Sequence, residues 1–339
     1  MLVRQVGRGA FGEVWLAKDH ALDREFAIKI LDNGIEIDQR LKEAQVGHLF
    51  THNNLVRVHQ ADVATDGKVV IAMDFLPDGS ITSQANPSNF LPLPIAVRAM
   101  IDIMQGLEHL HLNNMFHNDV KPENVLLGLQ GQAMLGDYGI VCVSSDGSPV
   151  LPSKWYVLHA APETCSGCGI EARTDLFQAG LTFFRMLVGL GALKAKFQAL
   201  GQSGYENALA KGTLVTKNDF PPFIPSAICR LILTSISPSL DDRFQSALEM
   251  RRALEKIPFS GYWTVDSTGM LVGKDSKYTY RFVRVCVSKN NYTFTAFKKY
   301  NTSGRETKIS SFSKKDITSS DVRKVEAQFV KAVIQGKVL

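Results

Sequence analysis

The hydrophobic pattern of the chain changes period twice, and this limits the folds open to it more than any other feature. Up to about residue 75, apolar and β-branched residues alternate in LVRQVGRG, GEVWLAK, EFAIKIL, NLVRVHQADV and KVVIAMDF, the period of strands, with one helical segment from Asp38 to Phe50. From Pro94 to Ile257 apolar residues recur three and four apart, as in PIAVRAMIDIMQGLEHLHL, DLFQAGLTFFRMLVGL and SALEMRRALEKI, the spacing of buried helix faces. After Pro258 alternation returns in YWTVDS, TYRFVRVCVS and YTFTAFKKY, with Asn290-Asn291 as a two-residue hairpin turn. An amphipathic helix from Asp321 to Ile334 then carries Val322, Val325, Phe329 and Val333 on one side. The expected architecture is α+β: a β-rich lobe over 1–76, a helical lobe over 77–257, and a small sheet-and-helix appendage over 258–339. At 339 residues the chain is long enough for two such cores and an appendage.

Charge divides the chain at the same place. From Phe259 onward there are 15 Lys and Arg against 6 Asp and Glu, a net +9, whereas 23 against 27 leaves the first 258 residues at −4. The two parts therefore face different partners. The most apolar stretch, Leu181 to Leu193, is interrupted by Arg185 and is shorter than the roughly 20 residues a membrane span needs, so it reads as a buried helix. The N-terminal MLVRQVGRGAFG lacks the regions of a secretory signal, and five cysteines with no framework spacing suit a reducing compartment, so a cytoplasmic location without a membrane is expected. Cys165 and Cys168 form one CxxC pair with no second pair to complete a zinc site, so no metal is assigned to it.

The residues that carry chemistry begin with Gly7-Arg8-Gly9-Ala10-Phe11-Gly12. A GxGxxG alone fits a dinucleotide site, a hairpin over phosphates, or a simple turn; the strand-like Glu13-Val14-Trp15-Leu16-Ala17 that follows favours the hairpin. Lys29 lies 17 residues after Gly12, at the end of Phe26-Ala27-Ile28-Lys29, and is either a solvated strand end or a cation for phosphates, with Glu43 as the carboxylate that would hold it. The densest polar cluster is His117-Asn118-Asp119-Val120-Lys121-Pro122-Glu123-Asn124, flanked by apolar residues. In it Asp119 can orient a hydroxyl and accept its proton, Lys121 can neutralise a transferred phosphoryl group, and Asn124 can ligate magnesium. Asp137, in Asp137-Tyr138-Gly139, adds a carboxylate for that metal 13 residues further on.

With these elements in this order, residues 1 to about 257 resemble the eukaryotic-like, Hanks-type Ser/Thr protein kinases. Ala161-Pro162-Glu163 looks like the family's APE motif, Asp175 and Gly180 like those of its long central helix, and Arg243 like the partner of that glutamate. The resemblance implies a bilobal kinase fold, ATP and Mg2+ as cofactors, and a protein substrate. It implies that Gly7, Gly9 and Gly12 cover phosphates and that Met73 is the gatekeeper. It also puts Asp74 to Leu76 at the adenine hinge, with Val14, Ala27 and Leu126 around the ring. Lys121 favours serine and threonine over tyrosine as acceptors.

Four departures stand out. Asn118 replaces a common arginine, so the chain is of non-RD type and activation by phosphorylation of the loop bearing Ser144, Ser145, Ser148 and Ser153 is not favoured. Tyr138 replaces phenylalanine, Tyr156 stands where a threonine usually meets the catalytic aspartate, and Gly47 replaces a larger residue, which suggests a loosely positioned helix. In the appendage, Tyr278, Tyr280, Phe282, Tyr292, Phe294 and Phe297 interleave with Arg281, Arg284, Lys289, Lys298 and Lys299. The plain reading is one aromatic face packed on the terminal helix and one basic face; nucleic acid or an acidic protein partner are the alternatives. Against an active kinase stands a pseudokinase or nucleotide-gated scaffold whose appendage carries the function.

Overall fold

The computed structural model describes residues 1–9, 12–31, 41, 44, 45, 47–49 and 51–338. Glu43, Ala10 and Phe11 lie outside the described residues, as does much of the segment expected to be helical over 38–50, although each described residue from 41 to 49 in it is helical. The first lobe is an antiparallel sheet of β1 (Leu2–Gly9), β2 (Gly12–Asp19), β3 (Arg24–Leu31), β4 (Val58–Val63) and β5 (Val69–Asp74), in the order β1-β2-β3-β5-β4. Its register pairs Gly7 and Gly9 with Val14 and Gly12, Val14 with Lys29, and Ala27 with Met73. Because paired residues share a face and alternate ones return to it, all of these residues lie on one side of the sheet.

The second lobe is helical: α1 (Leu93–Leu112), the short α2 (Pro162–Ser166), α3 (Ala172–Val188), α4 (Ala192–Ala210), α5 (Ser226–Ser235) and α6 (Ala247–Glu255). Between α1 and α2 run two small ribbons, β6 (Met115–Phe116) with β9 (Cys142–Val143) and β7 (Val125–Leu127) with β8 (Ala133–Leu135). Met100, Ile103, Met104 and Leu107 of α1 and Phe177, Leu181 and Phe184 of α3 form the centre of a core continuous with Leu31, Val69 and Ile71 of the sheet. No single helix among the described residues is long and apolar enough to cross a membrane; α3 and α4 meet the test only as a pair bent by 117°.

The appendage is an antiparallel meander of β10 (Gly261–Val265), β11 (Leu271–Asp275), β12 (Tyr278–Ser288), β13 (Asn291–Tyr300) and β14 (Glu306–Ile317), covered on one face by α7 (Ser319–Gln335). The α+β expectation, a β-rich lobe and a helical lobe followed by a sheet and helix, is borne out. Phe329 of α7 is the hub of the appendage core, touching the rings of Trp263, Tyr280, Phe282, Phe294 and Phe312. Thr264 accepts a hydrogen bond from Asn86 Nδ2 at 3.1 Å, and Phe223, stacked on Phe90, packs against both cores, as does Phe259. The appendage is thus seated on the helical lobe.

Two sequence expectations need correction here. The hairpin turn is Lys289-Asn290, with Asn291 already paired to Ser288 and Asn290 taking the positive φ of 61°. The aromatic and basic faces are not cleanly separated either. Phe297 pairs with Arg281, whose guanidinium lies 4.3 Å from its ring, while Arg284 pairs with Phe294 and reaches Glu326 of α7 at 3.3 Å. Arg281 also holds Glu306 at 2.6 Å, so part of the appendage's positive charge is neutralised within it.

Candidate active site

Helix α3 is buried along nearly all its length, yet Asp175, Gln178, Thr182 and Arg185 recur on it at three- and four-residue spacing and so share one face. Buried polar groups must find partners, and these four find them on a single loop. The Asp175 carboxylate accepts the backbone N–H groups of His117 and Asn118 at 2.8 Å each, and it meets His111 Nε2 at 2.8 Å. Gln178 accepts from Val120 N at 3.0 Å and donates to Asn118 O at 2.9 Å, the Thr182 hydroxyl donates to Val120 O at 2.8 Å, and Arg185 forks onto both oxygens of Glu123. The loop from 117 to 124 is therefore held from beneath at His117, Asn118, Val120 and Glu123. Asn118, at φ 63°, takes a backbone conformation that asparagine tolerates better than most residues.

What that loop presents is Asp119. Its Oδ2 accepts from Lys121 Nζ at 2.6 Å and from Asn124 Nδ2 at 2.8 Å, while its Oδ1, although buried, meets no hydrogen-bond donor among the described residues. Leaving such an oxygen bare costs on the order of 1–3 kcal/mol, so the arrangement calls for a further donor. Asn124 turns its amide nitrogen to Asp119, also bonding its carbonyl at 2.9 Å, which leaves the amide oxygen as its remaining ligand atom.

Across the cleft, Lys29 Nζ meets Asp137 Oδ1 at 2.8 Å. Burial alone would raise the Asp137 carboxyl, but Lys29, with help from Lys121, outweighs it and holds the group below the usual carboxylate range. Asp137 itself sits at φ 65°, and the next residue, Tyr138, donates its hydroxyl to Val56 O at 2.9 Å. A Cβ on Gly47 would collide with Val58 and come within 3.1 Å of the Tyr138 ring. The space a larger side chain would take at this position is filled by Val58 and the tyrosine.

Of the residues expected to line a nucleotide site, Gly7, Gly12, Val14, Ala27, Lys29 and Met73 share the sheet face established above. At Gly12 the need for glycine is physical: φ is 143° and any Cβ would strike the Ile30 carbonyl. Met73 and Leu126 pack on a small apolar cluster of Val56, Leu76 and Met134. Val56 and Met134 were not singled out in the sequence, where they are indistinguishable from core. Asp74, expected at the hinge, ends β5; its side chain meets Arg24 at 2.9 Å and His59 at 2.7 Å, and its backbone N–H donates to Arg57 O at 3.0 Å.

The segment after Asp137 is pinned by neutral bonds. The Asn118 side chain donates to Lys154 O at 2.9 Å and to Ile140 O at 3.3 Å, and Tyr205 donates to Leu158 O at 2.8 Å. His159 meets Val120 O through Nδ1 at 2.8 Å and Arg185 through Nε2 at 3.1 Å, which makes Nδ1 the protonated nitrogen. Burial, reinforced by Arg185, pushes this imidazole well below its usual range and keeps it neutral. Beyond it, Glu163 and Arg243 form a buried two-pronged pair at 2.8 Å per bond, with Thr174 donating to Glu163 at 2.8 Å.

Comparison with known proteins agrees with this geometry. The protein kinase domain family matches residues 1–257. The chain is 31% identical over 76% of its length to the serine/threonine-protein kinase PknJ of Mycobacterium tuberculosis, of which the match covers 45%. It is 26% identical over 75% of its length to the tyrosine-protein kinase MasK of Myxococcus xanthus, covering 42% of it. To the DNA damage-responsive serine/threonine-protein kinase RqkA of Deinococcus radiodurans it is 27% identical over 80% of its length, covering 41%. The match therefore spans less than half the length of each of these relatives. From the glycine strands to the Glu163–Arg243 pair, motif order, geometry and similarity coincide, and the chain belongs to the protein kinase domain family.

Proposed function

We propose that the protein transfers the γ-phosphate of ATP to serine or threonine hydroxyls of protein substrates. The observation that carries this reading is Asp119 Oδ1, a buried carboxylate oxygen with no donor among the described residues, beside an Oδ2 held by Lys121 and Asn124. An acceptor hydroxyl is the donor that fits, and the carboxylate orients it and takes its proton as the phosphoryl group is captured.

The residues suit Mg-ATP. Magnesium needs only one or two protein oxygens because phosphates and water complete its shell, and Asp137 with the Asn124 amide oxygen supplies that donor set. Held by these two side chains, the ion would supply positive charge to offset that of the phosphates. Lys29 is the cation for the nonreacting phosphates, and Lys121 sits beside Asp119, where charge on the transferred group develops. The one-sided face of Gly7, Gly12, Val14, Ala27 and Met73, with Leu76 and Leu126, would receive the phosphates and the adenine.

Incubation of the purified protein with labelled Mg-ATP and a mixed protein extract, followed by phosphoamino-acid analysis, tests the proposal. Label on serine and threonine that disappears with EDTA is the expected result. Label on tyrosine would overturn the acceptor assignment, and no label despite ATP binding would favour the scaffold reading.

A further inference from the structure

Where a threonine was expected to meet the catalytic aspartate, Tyr156 instead lies against the neighbouring lysine. Lys121 Nζ is 4.7 Å from the centre of the Tyr156 ring and 2.6 Å from Asp119 Oδ2, so the ammonium has an aromatic face in addition to its carboxylate. The negative face of an aromatic ring attracts such a cation. We infer that Tyr156 is a positioning residue: its ring, and not its hydroxyl, holds Lys121 on Asp119 in the geometry for phosphoryl transfer. This rests on the kinase reading and adds to it a role that sequence reasoning did not assign.

The ring is itself braced. Its centre lies 5.5 Å from that of His159, whose imidazole is fixed by Val120 O and Arg185, and Arg185 is fixed in turn by Glu123. Both ends of the short stretch carrying it are tied, Lys154 O by Asn118 and Leu158 O by Tyr205. Lys121 is a flexible side chain, about one-fifth exposed, whose free rotamers would otherwise carry it away from Asp119. A rigid ring against a mobile cation lowers that loss.

The test is a double-mutant cycle on the full chain, with kcat and the KM for ATP measured for wild type, Y156F, Y156L, K121A and K121A/Y156L. Y156L is expected to lower kcat by about 3- to 30-fold, the range of a cation–π contact, with little change in the KM for ATP. Y156F, which keeps the ring, should recover most of the loss, and in the K121A background Y156L should have no further effect. A fall of the same size in the K121A background would mean that Tyr156 merely supports the segment, and the inference would be overturned. It would be overturned equally if Y156F fell as far as Y156L, or if Y156L matched wild type. Y156M provides the same contrast should Y156L fold poorly. A wild-type protein without transfer activity would remove the kinase reading itself, an outcome distinct from all of these.

Discussion

The molecule contains two five-stranded antiparallel sheets that obey folding rules to different degrees. The appendage sheet is a plain meander in which each strand pairs with the next, and one face is filled by aromatic rings around Phe329. The first sheet inserts β5 between β3 and β4, carries Gly7, Gly9 and Gly12 where β-branched residues would pair better, and buries Lys29. The glycines and the buried lysine each cost stability, and all of them lie on the one face that looks onto the cleft. Where local rules and the global fold agree, a region is built to hold its shape; where they conflict on one face, that face has a task.

The contrast can be broken from either side. Phe329→Ala should cost about 3–5 kcal/mol of appendage stability, as for other buried aromatics, while phosphate transfer by the folded protein persists. Thermal unfolding beside an activity assay checks this, and loss of transfer with an intact fold would tie the appendage to catalysis. In the first sheet the reverse is expected: Lys29→Met should lower kcat/KM by about 10²- to 10³-fold, typical of removing one transition-state donor, a loss far larger than any change in the folded fraction at the assay temperature, even though Asp137 loses its partner. Equal activity would remove Lys29 from the chemistry.

A smaller effect concerns the helical lobe beneath the first sheet. His159 is held neutral in the fold but takes up a proton in the unfolded chain near pH 6.5, so the unfolded state binds more protons as pH falls. Stability from this group is complete above that pH and is lost as pH drops below it, by up to about 1.4 kcal/mol per pH unit. Denaturant unfolding between pH 7.5 and 5.5 should show this slope, reduced in His159→Gln; an unchanged slope would assign it to other groups. The smallest effect is expected at Ser144, Ser145, Ser148 and Ser153. Because Asn118 and Tyr205 already tie this segment, replacing the exposed Ser145, Ser148 and Ser153 with alanine should leave kcat within about twofold, as for surface changes of under 0.5 kcal/mol. The buried Ser144, bonded to Ser148 O at 2.9 Å, should lower stability but not kcat when it is replaced as well. A large loss would point to phosphorylation as an activator.

The sequence made much of the fold readable because most elements have a single clear period. Strands β1 to β3, the buried helix α3 and the amphipathic α7 stand out from alternation or from three- and four-residue spacing alone. Strand β14 did not: ETKISSFSKKDI is a polar edge strand whose lysines suit an edge that must not recruit partners, and they hide its alternation. Lys29, Asp119, Asn124 and Asp137 were visible as polar residues in apolar surroundings, whereas the grip on them was not. Asn118 reaches carbonyls 22 and 36 residues away, and no local pattern announces such pairings. One signal was present and went unused. Asp175, Gln178, Thr182 and Arg185 form a polar stripe in an otherwise apolar helix, and such a stripe must answer to a polar partner.

The central claim is that Asp119 Oδ1 is the oxygen that receives the acceptor proton. Single-turnover transfer from labelled Mg-ATP by wild type and Asp119→Asn, with nucleotide affinity measured in parallel, tests it most directly. The account predicts a loss of about 10²- to 10⁴-fold in the transfer step with ATP affinity retained. Transfer at the wild-type rate by the mutant would contradict it.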